Sequence, residues 1–321
     1  MERALSEPLV SVILVTWNSA PYLQRCLAGI EAQTHRPLEL LAVDNASQDQ
    51  SVTLLEAAHF RVIRNEANRG YSAAMNQAFS VARGEYLVAL NPDAFLEPEY
   101  VATLVAALHE AGPSFGAGTG KLMKAEGYEI RPTARIDSAG MRMTRTGRHL
   151  DVTTCDATRW FEVFGVSGAA AMYRAEFIRD VAVDGEVLDE DFFAYREDAD
   201  LAWRARLFGW RALCEPRAVA YHVRRVTPET RRTLPAAVNM HSVKNRFLLR
   251  SKNEGWWLAF RNAPFELFRD VVVIVASLTI ERTSLPAFGW LWRNRARIRA
   301  KRRAIQQRRR VGDRELARWF R

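Results

Sequence analysis

Cysteine is scarce in this sequence. Cys26, Cys155 and Cys214 are odd in number, far apart and without a CxxC pair, which excludes a disulfide-stapled scaffold or a cysteine zinc site and points to a reducing compartment. Long apolar runs are missing too. The N-terminal run, Leu9 to Val15, flows into a strand-like segment with no small-residue cleavage pattern, so no signal peptide is expected. Val271 to Ile280 is bounded by Asp270 and Glu281, and falls short of the roughly 20 apolar residues of a spanning helix. No internal repeat is visible. What is present is a globular composition: 321 residues, 48% of them hydrophobic, enough for one large or two modest cores and too apolar for disorder as the main state.

The formal charge of +9 is almost all tail. Residues 293–321 carry 13 Lys/Arg and 2 Asp/Glu, leaving 33 basic against 35 acidic side chains in 1–292. A nucleic-acid reader spreads positive charge over its docking face, so no nucleic-acid partner is expected. A basic tail after a Trp-rich stretch suits an anionic membrane surface, or is a solvated helix or an oligomer contact.

Residues 9–16, 38–43, 60–63 and 86–90 read as strands. Between and after them run helical patterns, including Leu23, Cys26, Leu27 and Ile30 on one face behind Pro21. Four strand–helix alternations predict an α/β fold with a mostly parallel sheet covered on both faces, binding ligands beyond the carboxyl ends of its strands. From Lys124 to Arg159 the periodicity fades, which predicts long loops or a hairpin. Strand-like Trp160–Val166 and Ala169–Tyr173 follow, then a helix from about Asp198 to Phe208 ended by Gly209, then strand-like 211–214 and 219–222. From about Leu234 the chain reads as amphipathic helices.

Three acidic clusters stand at strand ends or helix starts. In VDNASQDQS, Asp44 ends the second strand and either accepts from a nucleobase N–H or ribose hydroxyl or forms a turn with Asn45 and Ser47. In NPDA, Asn91 and Asp93 follow the fourth strand; Asp93 is an oxygen donor suited to Mg²⁺ or Mn²⁺ against a diphosphate, or simply an Asp in a Pro turn. In DEDFFAYREDADL, Glu197 and Asp198 open a helix behind an aromatic loop, either as acids offsetting the helix dipole or with one carboxylate as general base.

Together SVILVTWN at 11–18, VDNASQDQS at 43–51, NEANRGYSAAMNQA at 65–78, NPDA at 91–94, VSGAAAMYR at 166–174 and EDADLAWRARLFGW at 197–210 have a recognisable order. The chain resembles the family 2 glycosyltransferases of the GT-A fold, most closely their rhamnosyltransferase-like branch, over about Leu9 to Leu249. The resemblance implies an inverting transfer of one sugar, by preference L-rhamnose from dTDP-rhamnose, from a nucleotide diphosphate donor to a saccharide or lipid-linked acceptor. Asp198 matches the catalytic base, with Glu197 its neighbour. The donor side takes Thr16, Asn18, Asp44 as the base-recognising aspartate, Asn45, Arg69, Gly70, Asn91 and Asp93. Gly168 falls on the acceptor side. Asp93 is the metal-binding end of a DXD motif in which Asn91 replaces Asp, as the NPD of this branch commonly does. His222 sits where some members place a metal-binding histidine, and as a lone His near an aromatic it also reads as structural. Inversion is a single displacement needing one base and no enzyme nucleophile, with Mg²⁺ or Mn²⁺ stabilising the departing diphosphate.

Lookalike motifs fail. GAGTGK at 116–121 has the wrong spacing for a P-loop, and ELARW at 315–319 has Glu where processive synthases have the Gln of QxxRW. A sugar nucleotidyltransferase would need a Gly-rich basic loop where this chain has TWNSAPYL; a non-enzymatic membrane or nucleic-acid adaptor driven by the tail is the third reading. The expected organisation is a catalytic domain over 1–251, divided near 125 into nucleotide-sugar and acceptor halves, and a helical, polybasic region over 252–321. The expected location is the inner face of the cell membrane, held peripherally by the tail; an oligomer is compatible with it.

Overall fold

The computed structural model describes residues 7–127, 131–224 and 236–321; the expected helical start near Leu234 and the other residues of 1–6, 128–130 and 225–235 lie outside them. The first part alternates β1 (Val10–Thr16), α1 (Ala20–Glu31), β2 (Leu38–Asp44), α2 (Ser51–Ala57), β3 (Arg61–Arg64), α3 (Tyr71–Val81) and β4 (Tyr86–Leu90). All seven residues of β1 are buried, as a strand covered on both faces must be. Its side chains alternate: Val10, Val12 and Leu14 enter one core with Leu23, Cys26 and Ile30 of α1, while Ile13 and Val15 enter a second core with Ala74, Met75 and Ala78 of α3. The periods of 2 and 3.6 read from the sequence thus become the two faces of one sheet.

After β4 come β5 (Ala94–Leu96), α4 (Tyr100–Ala111), β6 (Phe115–Glu126), β7 (Arg131–Ser138), β8 (Met141–Met143), β9 (His149–Asp151), β10 (Phe161–Val163), β11 (Ala170–Arg174), α5 (Ala175–Val181), α6 (Glu197–Leu207) and β12 (Arg211–His222). The ten-stranded sheet runs β10-β12-β6-β11-β4-β1-β2-β3, with β5 on β12 and β7 on β6. β1, β2, β3, β4, β6 and β12 point one way; β11, antiparallel to β4 and β6, points the other. Thr16, Asp44, the Asn91–Asp93 turn and His222 therefore all leave the sheet at one edge.

The expected loops of 124–159 are the β6/β7 hairpin and the small β8/β9 pair. The two strand-like segments at 211–214 and 219–222 are one strand, β12, whose register against β6 shifts between Glu215 and Val219 around Pro216, the kind of bulge where proline is tolerated inside a sheet. GAGTGK lies in β6. A Cβ at Gly116 would stand 2.2 Å from the Phe177 ring, and one at Gly120 would stand 2.1 Å from the Ala218 carbonyl. Those glycines admit close packing, which hides the strand from any pattern of apolar residues.

The C-terminal part is α7 (Ala236–Asn253), α8 (Trp256–Thr279), α9 (Pro286–Arg293), α10 (Arg295–Gln307) and α11 (Asp313–Leu316). None of the described helices is long and apolar enough to cross a membrane. These helices are packed onto the body rather than trailing from it: Ile298, Ile305, Leu316 and Phe320 share a third core with Trp203, Leu207 and Phe208. Among the described residues, five of the ten basic residues in 293–310 are ion-paired, Arg297, Lys301, Arg308 and Arg310 to acids of the body and Arg309 to Asp313.

Candidate active site

At the shared edge, Thr16 and Asp44 face each other in register. The Thr16 hydroxyl donates to Asp44 Oδ1 at 2.8 Å, and Ser47 donates to the same carboxylate through its N–H at 2.9 Å and its hydroxyl at 2.5 Å. Asp44 thus forms the turn, and that turn fixes its carboxylate at the mouth of the sheet. Asn18, at φ 49°, donates its N–H to Ser47 Oγ at 2.9 Å and accepts from the Gln48 N–H at 2.8 Å. Asn45 donates to the Gly70 carbonyl at 3.2 Å and accepts from Asn65 at 2.9 Å, tying the β2 end to the Arg69–Gly70 loop. Arg69 is exposed there. Gly70 has φ 85°, and a Cβ on it would stand 2.5 Å from the Phe193 ring; only glycine lets the aromatic loop close over this strand end.

The NPD turn is placed by two neighbours. The Asn91 N–H donates to the Ala169 carbonyl at 2.9 Å, and pairing of β5 with β12 sets Ala94 opposite His222. His222 Nε2 lies 3.6 Å from Asp93 Oδ1, while Nδ1 lies 2.8 Å from Asp137 Oδ2. Arg224 bridges Asp137 at 3.0 Å and Asp151 at 2.8 Å. Burial works to lower the His222 pKa, yet its hydrogen bonds to Asp137 and Asp93 and the charges of both raise it to about 9. A carboxylate that grips one ring nitrogen and leaves the other facing a second carboxylate is the arrangement that orients a metal-binding histidine. Asp93 and His222 therefore fit a divalent ion that takes its remaining ligands from phosphate and water. Among the described residues no group of three His, Cys, Asp or Glu forms a fuller cage.

The carboxylates of α6 stand behind a strained loop in which Phe193, Tyr195 and Arg196 all have positive φ, at 66°, 70° and 69°. Such conformations persist only when the surroundings over-determine them. Here Asn245 of α7 donates to the carbonyls of Phe192, Ala194 and Tyr195 at 3.0, 2.8 and 2.7 Å. Just upstream, the buried Lys252 and Lys301 ion-pair with Asp189 and Asp191, and His241 stacks on Phe193 at 4.8 Å.

Asp198 accepts from the Gly168 N–H at 3.3 Å and from the Ala199 N–H at 2.8 Å. Burial raises its pKa while those N–H groups and Arg224 pull it back. Glu197 is pushed up to about 8 by burial and the adjacent Asp198 charge, and its Oε2 is buried without a hydrogen-bond partner among the described residues. Asp200 is structural: fully buried, it pairs with Arg204 at 3.2 Å and accepts from Asn253 at 2.6 Å. Burial raises the Tyr71 hydroxyl pKa, and the charges of Glu197, Asp198 and Asp93 raise it further.

The expected site residues thus lie along one edge, with Gly168 against Asp198. Sequence reasoning missed Asp137, Arg224, Tyr71 and Asn245. Arg224 was signalled only by its place in HVRR beside His222; Asp137 and Asn245 sit in segments with no motif, and reach the site through strand pairing and helix packing.

The family described as Glycosyl transferase family 2 matches residues 11–182, more than half of the chain. An N-acetylglucosaminyl-diphospho-decaprenol L-rhamnosyltransferase of Mycobacterium tuberculosis is 26% identical over 278 residues, covering 78% of this chain and 87% of the relative. A mannosyltransferase of Pyrobaculum calidifontis, solved with GDP-Man and Mn²⁺, superposes with TM-score 0.55 at 19% identity over 93% of this chain and 85% of its own. GalNAc-T7, solved with UDP, GalNAc and Mn²⁺, gives TM-score 0.61 at 16% identity over 77% of this chain; the match takes in about half, 48%, of that chain. At these identities the solved structures speak for the fold, which is GT-A. The matched family region spans β1 to α5, where Asp44 and Asp93 stand, and with the rhamnosyltransferase likeness over most of the chain it shows that this protein belongs to the family 2 glycosyltransferases.

Proposed function

We propose that the protein is an inverting, metal-dependent transferase that moves a single sugar, L-rhamnose from dTDP-rhamnose, onto a hydroxyl of a lipid-linked saccharide in cell-surface glycan synthesis. The donor and acceptor rest on the mycobacterial relative, whose name carries both the rhamnosyl group and a diphospho-decaprenol carrier. Asp198 takes the proton of the acceptor hydroxyl as its oxygen attacks the anomeric carbon; the bond to the nucleoside diphosphate breaks on the opposite side and configuration inverts. Asp44 and Asn45 hold the nucleoside, and Arg69 reaches the phosphates. Asp93 and His222 would hold Mg²⁺ or Mn²⁺, which when bound supplies positive charge against the departing diphosphate. Two structural neighbours are complexes with Mn²⁺.

The observation that carries this reading is the Gly168–Ala169 segment, whose Ala169 carbonyl accepts from the Asn91 N–H of the NPD turn at 2.9 Å while its Gly168 N–H donates to Asp198 at 3.3 Å, so that the Asp93–His222 pair and the candidate base stand at one edge of the sheet. A panel of nucleotide sugars tested by thermal shift with and without Mn²⁺ identifies the donor. At 100 times its dissociation constant the right one stabilises the fold by about 2.7 kcal/mol. By calorimetry, Asp93→Ala abolishes the metal-dependent part of nucleotide diphosphate binding and His222→Ala weakens it less. Unchanged metal dependence in Asp93→Ala would place the ion elsewhere, and a panel in which no nucleotide sugar binds would overturn the reading.

A further inference from the structure

Helix α8 is built inside out. At about 100° per residue, Trp256, Phe260, Leu267, Val271, Ile274 and Leu278 fall within an arc of about 60°, and every one of them is exposed, Trp256 and Phe260 by 78% and 79%. The buried face across the helix is mostly polar: Asn262, Glu266 and Ser277 with Leu258. Its acids are held by α7, Glu266 by Arg250 at 3.3 Å and Asp270 by Arg246 at 3.0 Å and Arg250 at 2.5 Å. Of the 15 large hydrophobic side chains exposed among the described residues, 11 lie between Trp256 and Ile280, so this is a continuous face rather than scattered surface apolarity. A helix packed on a water-soluble body turns its apolar stripe inward; the reverse is the pattern of a helix lying in the interface of a lipid layer.

We infer that this face of α8 seats the protein on an anionic phospholipid bilayer, lying in the headgroup region without crossing it. Basic charge in the segments that follow α8 agrees. Arg282 follows the end of α8, and Arg295, Arg299 and Arg303 form a row spaced by four along α10. All are exposed, and none has an ion pair among the described residues. The inward row of the same helix, Arg297 and Lys301, is held by Glu186, Asp189 and Asp191. Arg295 covers the Trp292 ring at 4.5 Å, and that ring is 70% exposed, an aromatic–cation pair suited to headgroup depth. The anchor is thus the apolar face of α8, with the exposed arginines that follow it in the chain as the basic component, whereas five of the thirteen basic residues of 293–321 are ion-paired among the described residues. The inference does not depend on the donor or the metal; only its use, bringing the site to a lipid-borne acceptor, rests on the proposed function.

The test is sedimentation of the full-length protein with vesicles of phosphatidylglycerol and phosphatidylcholine, and with phosphatidylcholine alone. Wild type is expected to pellet with the mixed vesicles and to be released by salt. Phe260→Gln/Val271→Gln/Leu278→Gln is expected to lose about tenfold or more in partitioning, and Arg295→Gln/Arg299→Gln/Arg303→Gln to bind as weakly as wild type binds neutral vesicles. Both variants are expected to keep the wild-type melting temperature, since every altered side chain is exposed. Equal sedimentation of the apolar variant would overturn the inference. So would a wild type that ignores vesicles, whether it sediments alone as a monomer or as a dimer that the apolar substitutions dissociate; the dimer would make the face a contact between copies.

Discussion

Asp198 and Asp200 are two residues apart, and their surroundings differ. Asp200 is locked by Arg204 and Asn253 in the interior, so it cannot receive a proton from an acceptor. Asp198 is held by two backbone N–H groups, beside Glu197. Asp198→Asn is expected to lower the transfer rate about 100-fold or more while nucleotide affinity changes little; transfer above about a tenth of wild type would remove Asp198 as the base. Glu197 carries a pH signature of its own. Its folded pKa of about 8 is raised above the ordinary carboxyl value, so its contribution to stability is complete below the unfolded pKa and is lost as pH rises through about 8. The slope is at most about 1.4 kcal/mol per pH unit for one proton. Denaturant melts of the metal-free protein at rising pH should show this loss in wild type and a flatter profile in Glu197→Gln; equal slopes would contradict it.

Among elements, the loop before α6 depends on a helix about 50 residues later in the chain. The two N–H donors of the Asn245 amide are shared among three carbonyls of a segment with three positive-φ residues, and it touches no reacting atom in the proposed chemistry. Its removal takes those donors from the loop, at about 1–3 kcal/mol for a carbonyl left unpaired, and frees the segment that leads into Asp198. Asn245→Ala is therefore expected to lower kcat about tenfold or more, since small misplacements of a base are costly, while donor KM changes little. A drop in melting temperature with kcat unchanged would make Asn245 a purely structural residue. Elements were legible where one period dominated: β1 as an apolar run interrupted only by Ser11, α1 behind Pro21, α6 stopped by Gly209 at φ 89°. β6 was not, because its Gly116, Gly118 and Gly120 carry no hydrophobic signal, and β12 read as two strands because Pro216 sits in its bulge.

At the scale of the whole molecule, the C-terminal helices complete the fold around the site. Lys301 reaches Asp189 at 2.6 Å and Glu186 at 2.7 Å, and Phe320 lies against Trp203 at 4.8 Å between ring centres. A chain cut after Leu291 loses both. Removing one partner of a buried ion pair alone costs about 3–5 kcal/mol, so the shortened protein is expected to melt well below wild type and to lose transfer even with a soluble acceptor. A truncated chain with the wild-type melting temperature would show that the tail merely rests on the body.

The sequence by itself determined the alternation of strands and helices, the family, and which acids stand at strand ends, because these depend on local periodicity and on short motifs whose members are near in the chain. Only the tertiary structure decided that Asp137 grips the far side of His222, that Asn245, Lys252 and Lys301 hold the loop before α6, and that α8 turns its apolar stripe outward while five basic residues of the tail are ion-paired within the fold. Each of those depends on which surfaces meet at separations of tens to hundreds of residues. The physical reason is that burial and pairing, rather than residue type, set what a charge or an apolar stripe does: composition counts thirteen basic residues in the tail, but packing chooses which of them still face solvent.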